Sequence, residues 1–280
     1  MKFGAHVSTR QPFSEAVNRA KEIGCECMQI FANPPQRWNP LVIPEEEIAR
    51  FKDLNAKAPI SPVIIHGIYL LNLASSNTYF YKQSIASLIN DMQKASKLGA
   101  LGVNFHVGST KGAEMKEVMH KVKDAVKEIL DGSPEGPYLI IENSAGAGNI
   151  IGDTIEEIAE IIGACKSNRV KSLIDTAHAF ESGYDIKSKA GLEKFINKFD
   201  SLIGLGNLVG FHINDSKTEL NSKRDRHADI GKGYIGLEAI ENIVTHQKLQ
   251  DKCAILETPQ DEMDWPTQLN ILKEMRSSQS

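Results

Sequence analysis

The sequence predicts an α/β protein, a single-domain (β/α)8 TIM barrel spanning residues 1–280, and three observations carry that expectation. Eight short runs rich in β-branched and other apolar residues recur along the chain. Segments with apolar residues at helical spacing lie between them. Run starts fall 24 to 45 residues apart with no change of composition between the halves, which suits one closed ring of βα units better than two domains. A doubly wound open sheet is the alternative, because alternation alone does not decide closure.

The first run, Phe3 to Val7, precedes a helical segment broken at Gly24, and Cys27 to Phe31 and Val63 to Gly67 follow it. Ser75 to Leu98 predicts a long helix that opens on Tyr79, Phe80 and Tyr81 and is stopped by Gly99. Val103 to Val107 is the fourth run. After Gly112, the spacing of Met115, Val118, Met119, Val122, Val126 and Ile129 marks one apolar helix face. Tyr138 to Asn143, Val170 to Asp175 and Leu208 to Asp215 continue the series, and Cys253 to Thr258 closes it. Ser216 to Gly236, rich in charge and glycine, predicts a long loop, and loops of that length in a compact domain usually carry function.

Composition excludes several classes. At 280 residues and 30.9 kDa, with 41% hydrophobic and 24% charged residues, the chain can bury a large core and is neither disordered nor collagen-like. Met1 to Ala20 has no apolar signal core, and the longest apolar stretch, Val63 to Ala74, is broken by His66, Gly67 and Asn72. The expectation is a cytoplasmic protein with no membrane contact, a monomer, with Cys25, Cys27, Cys165 and Cys253 as buried, reduced thiols. Thirty-two basic against 36 acidic residues give a net charge of −4, which for a metal-free chain argues mildly against a nucleic-acid partner.

Metal-capable residues sit at or just past the ends of six runs: His66, His106, Glu142, Asp175, His212 and Glu257. In a parallel barrel these ends share one face, so residues distant in sequence converge there. Several buried carboxylates together repel one another and require cations. In Asp175-Thr176-Ala177-His178 the spacing of three puts the side chains on opposite faces of an ideal strand, so the chain must turn for both to reach one pocket. In Asp225-Arg226-His227 the spacing of two lets the outer pair clamp one ion. These nine residues are too many for one tetrahedral ion and suit three metals, two of them close together, with Glu142 as the best bridge. A His/Asp/Glu set without Cys suits zinc, with manganese or iron as chemical substitutes. Three Zn²⁺ against a formal −4 leave +2, and with Lys217, Lys223, Arg224, Arg226 and Lys232 on the long loop such a surface can attract phosphates.

Gly4-Ala5-His6-Val7-Ser8, His66 with Tyr69-Leu70-Leu71-Asn72-Leu73, Phe105-His106-Val107-Gly108, Ile141-Glu142-Asn143, Asp175-Thr176-Ala177-His178-Ala179-Phe180, His212-Ile213-Asn214-Asp215-Ser216-Lys217, Asp225-Arg226-His227 and Leu256-Glu257-Thr258-Pro259 together resemble endonuclease IV, the zinc-dependent apurinic/apyrimidinic endonuclease family. The resemblance runs in order over nearly the whole chain. It implies a deoxyribonuclease IV-type phosphoric diester hydrolase of base excision repair. Such an enzyme cuts double-stranded DNA 5′ of an abasic site and leaves a 3′-hydroxyl and a 5′-deoxyribose phosphate. By position it implies that His66, His106 and Glu142 hold a first zinc, that Glu142, Asp175, His212 and Glu257 hold a second, and that His178, Asp225 and His227 hold a third. Glu142 and Glu257 are then the catalytic carboxylates, Glu257 helping to orient the attacking water. Tyr69 resembles the residue that inserts at the lesion, and Arg226 a phosphate contact; Lys217 is a further DNA contact. Arg37 stands for the family's inserted arginine, although Asn33-Pro34-Pro35-Gln36-Arg37-Trp38 departs from the family's Asn, one residue, Arg, one residue, Trp spacing. Gly67 stands where relatives carry a larger residue.

Other readings compete. A sugar isomerase or epimerase on the same barrel uses one metal with two Glu, an Asp and a His, which Glu142, Asp175, His212 and Glu257 could supply; His66, His106, Asp225 and His227 would then be idle. A non-enzymatic metal-dependent DNA-binding protein is a further option. Trp38 and Tyr79 to Tyr81 read equally as packing residues, His6 as a support behind the metal ligands or an ordinary hydrogen-bonded histidine, His120 and His246 as surface residues on helices, and Gly231, Gly233 and Gly236 as a turn or a loose phosphate cradle.

Overall fold

A computed structural model describes residues 1–57 and 59–278. In chain order its strands are β1 (Lys2–Val7), β2 (Cys27–Phe31), β3 (Val63–His66), β4 (Gly102–Phe105), β5 (Tyr138–Glu142), β6 (Val170–Asp175), β7 (Leu208–His212), β8 (Asp215–Ser216), β9 (His227–Ala228) and β10 (Cys253–Leu256). All except β8 and β9 pair in parallel. They close into a barrel, since β1 bonds to β2 on one side and to β10 on the other. That closure excludes the open sheet. The helices α1 (Ala16–Glu22), α2 (Glu45–Lys57), α3 (Thr78–Leu98), α4 (Met115–Asp131), α5 (Ile155–Cys165), α6 (Thr176–Ser182), α7 (Lys189–Leu202), α8 (Leu237–Val244) and α9 (Trp265–Ser277) fall between and after the strands.

Side chains that point into the barrel alternate along each strand with those that face the helices. One inward layer is apolar: Cys27, Ile64, Ile140, Leu173, Cys253 and Ile255 form a closed, buried cluster at its centre. Two residues further along, the next inward position is polar in strand after strand: Gln29 above Cys27, His66 above Ile64, Glu142 above Ile140, Asp175 above Leu173 and Glu257 above Ile255. The barrel is thus floored by hydrocarbon and sulfur and capped by titratable groups at the C-terminal ends of its strands. A larger apolar cluster, including Phe3, Phe51, Leu88, Val122 and Leu269, fills the space between strands and helices.

Several boundaries differ from expectation. The helix anticipated from Ser75 begins at Thr78, because Asn77 caps it and accepts from the Tyr79 N–H at 2.9 Å and the Phe80 N–H at 3.3 Å. The seventh run ends as strand at His212. Beyond it, the segment expected to be one long loop contains the antiparallel pair β8/β9, with Asp215 opposite Ala228 and Ser216 opposite His227. His246 lies past the end of α8 and bonds to Glu193 at 2.8 Å, whereas His120 is exposed on α4 as expected. All four cysteines are free thiols; Cys165 is only half-buried, at the last turn of α5.

Candidate metal centre

Three overlapping groups of donors gather at the C-terminal rim: His66, His106 and Glu142; Glu142, Asp175, His212 and Glu257; and Asp175, His178 and His227. Glu142 belongs to the first and second, Asp175 to the second and third. Asp225, the most exposed of the nine, faces the third group, with its carboxylate 3.4 Å from His178 Nε2 and 3.5 Å from His227 Nε2. All nine residues singled out in the sequence therefore converge. The turn demanded by the Asp175/His178 spacing is also present. Asp175 ends β6 and caps α6, its Oδ1 accepting the His178 N–H at 2.9 Å, so helix geometry swings His178 back over the rim.

The chemistry of the donors fits zinc. His66 Nε2 and His106 Nε2 lie 3.4 and 3.6 Å from Glu142 Oε2, too far for a good hydrogen bond. Ligands about 2.0–2.1 Å from one tetrahedral ion stand roughly 3.4 Å apart. Hydrogen bonds at the far ring nitrogens set the tautomers. His66 Nδ1 donates to the Gly67 carbonyl at 2.6 Å, and His178 Nδ1 to the Asn143 carbonyl at 3.0 Å. His227 Nδ1 faces the Glu257 carbonyl at 3.3 Å. His178 and His227 turn their Nε2 atoms toward each other across 3.3 Å, where a bound cation or a shared proton joins them.

Gln29 fixes the His212 imidazole. Its Nε2 donates to Glu257 Oε1 at 2.6 Å, which turns its Oε1 to accept from His212 Nε2 at 3.0 Å. His212 Nδ1 is thereby aimed at three carboxylates, 2.9 Å from Glu142 Oε1, 3.1 Å from Glu257 Oε2 and 3.8 Å from Asp175 Oδ2. Asparagines hold the acids: Asn104 donates to Glu142, Asn214 donates to Asp175 Oδ2 at 2.7 Å, and Asn143 accepts the Asp175 N–H at 2.6 Å. Burial pushes the Glu142 carboxyl up, but His106 and His212 outweigh it and hold the group well below the carboxylate range. Glu257 is likewise held down by His212 against its own burial, and Asp225 is brought to about 2, chiefly by His178. Glu142, Glu257 and Asp225 are therefore ionised, the state that binds a cation.

His6 bonds through Nδ1 to Glu257 Oε1 at 2.8 Å, while its buried Nε2 has no partner. It is thus a hydrogen-bonded histidine that supports the Glu257 carboxylate. Sequence reasoning missed Gln29, Asn104 and Asn214. Gln29 alone carried a signal, as an amide at an inward position of the apolar run Cys-Met-Gln-Ile-Phe.

An open cleft of about 1010 Å³ lies over the donors and takes in His6, Arg10, Tyr69, Asp225 and Trp265. A second cavity of about 460 Å³ adjoins it, sharing Tyr69, His106, His178 and Asp225, and includes Lys111. Tyr69 is 61% exposed and stands edge-on to Phe31, ring centres 5.3 Å apart. Desolvation by the surrounding cleft walls, with lesser help from Glu257 and Glu142, raises its hydroxyl to about 12, so it stays protonated. Arg226 is exposed, its guanidinium turned back to the Asp225 carbonyl at 2.7 Å. Arg37 is exposed beyond the residues that line either cavity. The basic stripe expected on the long loop is largely paired: Lys217 with Asp261, Lys232 with Glu262 at 3.0 Å, and Lys223 with the Ser182 carbonyl at 2.8 Å. Arg10 and Lys111 are the basic residues that line the cavities instead. Trp38 stacks on Phe80 at 6.3 Å, but Tyr79 and Phe80 are exposed rather than packed away. The phosphate cradle is absent, because the Asp215 carboxylate already accepts the N–H groups of Gly233, Ile235 and Gly236.

The chain matches the family model described as a xylose isomerase-like TIM barrel over residues 17–276. It is 37% identical over 260 residues to a probable endonuclease 4 from Halothermothrix orenii, covering 92% of this chain and 94% of that one. A probable endonuclease 4 from Aquifex aeolicus is 33% identical, with 98% and 97% covered. Among solved structures, endonuclease IV from Thermus thermophilus superposes with a TM-score of 0.90 at 29% identity, over 99% of this chain and 100% of that one. A D-tagatose 3-epimerase-like protein superposes with a TM-score of 0.75 at 20% identity, a likeness of fold alone. With near-full-length relatives above 30% identity and the same barrel, the chain belongs to the endonuclease IV family.

Proposed function

We propose that this protein hydrolyses the phosphodiester bond 5′ of an abasic site in double-stranded DNA, leaving a 3′-hydroxyl and a 5′-deoxyribose phosphate, with three zinc ions held by the nine donors. Family membership makes it a DNA-repair hydrolase. The observation that carries the finer reading is that Glu142 belongs to two neighbouring donor groups while Asp225 faces His178 and His227 of the third, which suits a linked cluster. A one-metal epimerase has no use for His66, His106, Asp225 and His227, all of which face the rim.

The sets are His66, His106 and Glu142; Glu142, Asp175, His212 and Glu257; and His178, Asp225 and His227. When bound, zinc supplies Lewis acidity, lowers the pKa of water and neutralises phosphate charge. Glu142 and Glu257 act as the catalytic carboxylates, Glu257 being positioned by Gln29 and His6 to orient the attacking water. Protonated Tyr69, exposed beside the donors, fills the gap where a base is missing, and a sugar without a stacked base is cheaper to turn out of the helix. Arg226 contacts a phosphate, Lys217 is a further DNA contact, and Arg37 stands for the arginine inserted into the DNA. The exposed pair of Lys217 with Asp261 is worth at most about 1 kcal/mol, so a phosphate can displace it. The protein works in the cytoplasm as a monomer.

The test is incubation with a duplex carrying one abasic site, with and without chelator, followed by identification of the ends. Single-nick products with a 3′-hydroxyl, lost on chelation and restored by zinc, are expected. Metal-independent cleavage, or cleavage 3′ of the lesion, overturns the proposal.

A further inference from the structure

The third donor group is assembled from two separate elements. His178 is on α6, while Asp225 lies on the excursion between β8 and β9 and His227 opens β9. The ladder that closes this excursion has two pairs of residues, with one further bond from the Lys217 N–H to the Arg226 carbonyl at 2.8 Å. Two pairs do not hold the intervening segment in one place. One buried side chain ties both arms to α6.

Glu181 is on α6, three residues after His178, and is fully buried. Its Oε1 accepts from Ser216 Oγ at 2.7 Å and Thr218 Oγ1 at 3.3 Å, on the outgoing arm. The same oxygen accepts the Arg226 N–H at 3.1 Å, on the returning arm, between Asp225 and His227. Backbone bonds from the Asn221 N–H to the Phe180 carbonyl and from the Lys223 N–H to the Glu181 carbonyl lay the tip of the excursion against the same helix. Glu181 Oε2 is buried with no partner. An ionisable side chain placed this deep, using one oxygen three times and leaving the other bare, is poor for stability alone.

We infer that Glu181 is a positioning residue for the third metal: through Oε1 it fixes the end of the excursion that carries Asp225, and with it the start of β9 that carries His227, against His178 of α6. The inference rests on the three-zinc reading above. It assigns Glu181 no contact with metal or substrate; the carboxylate acts through the Arg226 amide. What it needs is an acceptor at Oε1, not a charge. Glu181→Gln keeps that acceptor, whereas Glu181→Ala removes it.

The experiment strips the full-length protein of metal, titrates it with Zn²⁺ against a competing chelator, counts bound zinc, and records thermal unfolding of each variant. Wild type should hold three ions. Glu181→Ala should keep two at unchanged affinity and bind the third about 10- to 100-fold more weakly, the usual effect of losing a partner outside the ligands themselves. Glu181→Gln should restore the third ion. A third ion bound by Glu181→Ala as tightly as by wild type overturns the inference, as does a Glu181→Gln protein that loses it equally. Uniform weakening of all three sites, or loss of cooperative unfolding in Glu181→Ala, replaces positioning with a general structural role. If wild type itself holds fewer than three ions, the three-zinc reading fails first and takes the inference with it.

Discussion

Glu142 is buried between His66, His106 and His212, and no other donor is shared between the first two groups. Glu142→Gln keeps the volume but replaces an anionic oxygen by an amide, so incision should fall below detection while the thermal midpoint of the metal-free protein holds. Ordinary turnover by that variant removes the bridging role. Gln29→Leu tests the imidazole beyond it. Without the Oε1 acceptor, His212 no longer keeps Nδ1 bare toward the acids, and zinc affinity measured against a chelator should drop about 10- to 100-fold. At this scale the donors were legible because strand periodicity brings polar residues at strand ends to one rim. Their asparagine partners were not, because Asn104, Asn143 and Asn214 have no spacing that separates them from ordinary strand-end or loop residues.

Asn77 and Asp175 show what capping does at the scale of elements. Asn77→Ala should destabilise the protein by about 1 kcal/mol in denaturant unfolding with incision unchanged, since the cap serves only α3. Asp175 serves both α6 and the donor groups, so its replacement cannot separate the two roles. The last helix, α9, is tied to the first strand region by Arg276, whose guanidinium meets both oxygens of Glu26 at 2.9 Å. Burial raises the Glu26 carboxyl, but the Arg276 bonds and the Phe3 N–H outweigh it and bring the group below its ordinary value. A carboxylate depressed in the folded state adds stability above its unfolded pKa and loses it as pH falls through the folded one. Glu26→Gln should therefore be less stable than wild type near neutrality, with the difference shrinking in acid, as read from thermal midpoints across pH. Strands and long helices were legible at this scale. The β8/β9 pair was not: two residues are too few for a period-two pattern to emerge, and the segment's charge and glycine mask it.

For the molecule as a whole, metal bound only by the folded state must stabilise it. Chelation should lower the thermal midpoint together with incision, and zinc should restore both; a midpoint that ignores the chelator contradicts a built metal centre. No helix among the described residues is long and apolar enough to cross a membrane. The repeating strand–helix units of one barrel were legible from their spacing. Closure itself was not, because it depends on β10 lying between β1 and β7. That strand also delivers Glu257 to His6 and Gln29, which come from the opposite end of the chain. A ribosome must therefore translate as far as residue 257 before any cutting centre exists, and an abandoned shorter polypeptide, with two raw sheet edges and a ligand missing, is a candidate for aggregation and proteolysis rather than a stray nuclease loose on the chromosome.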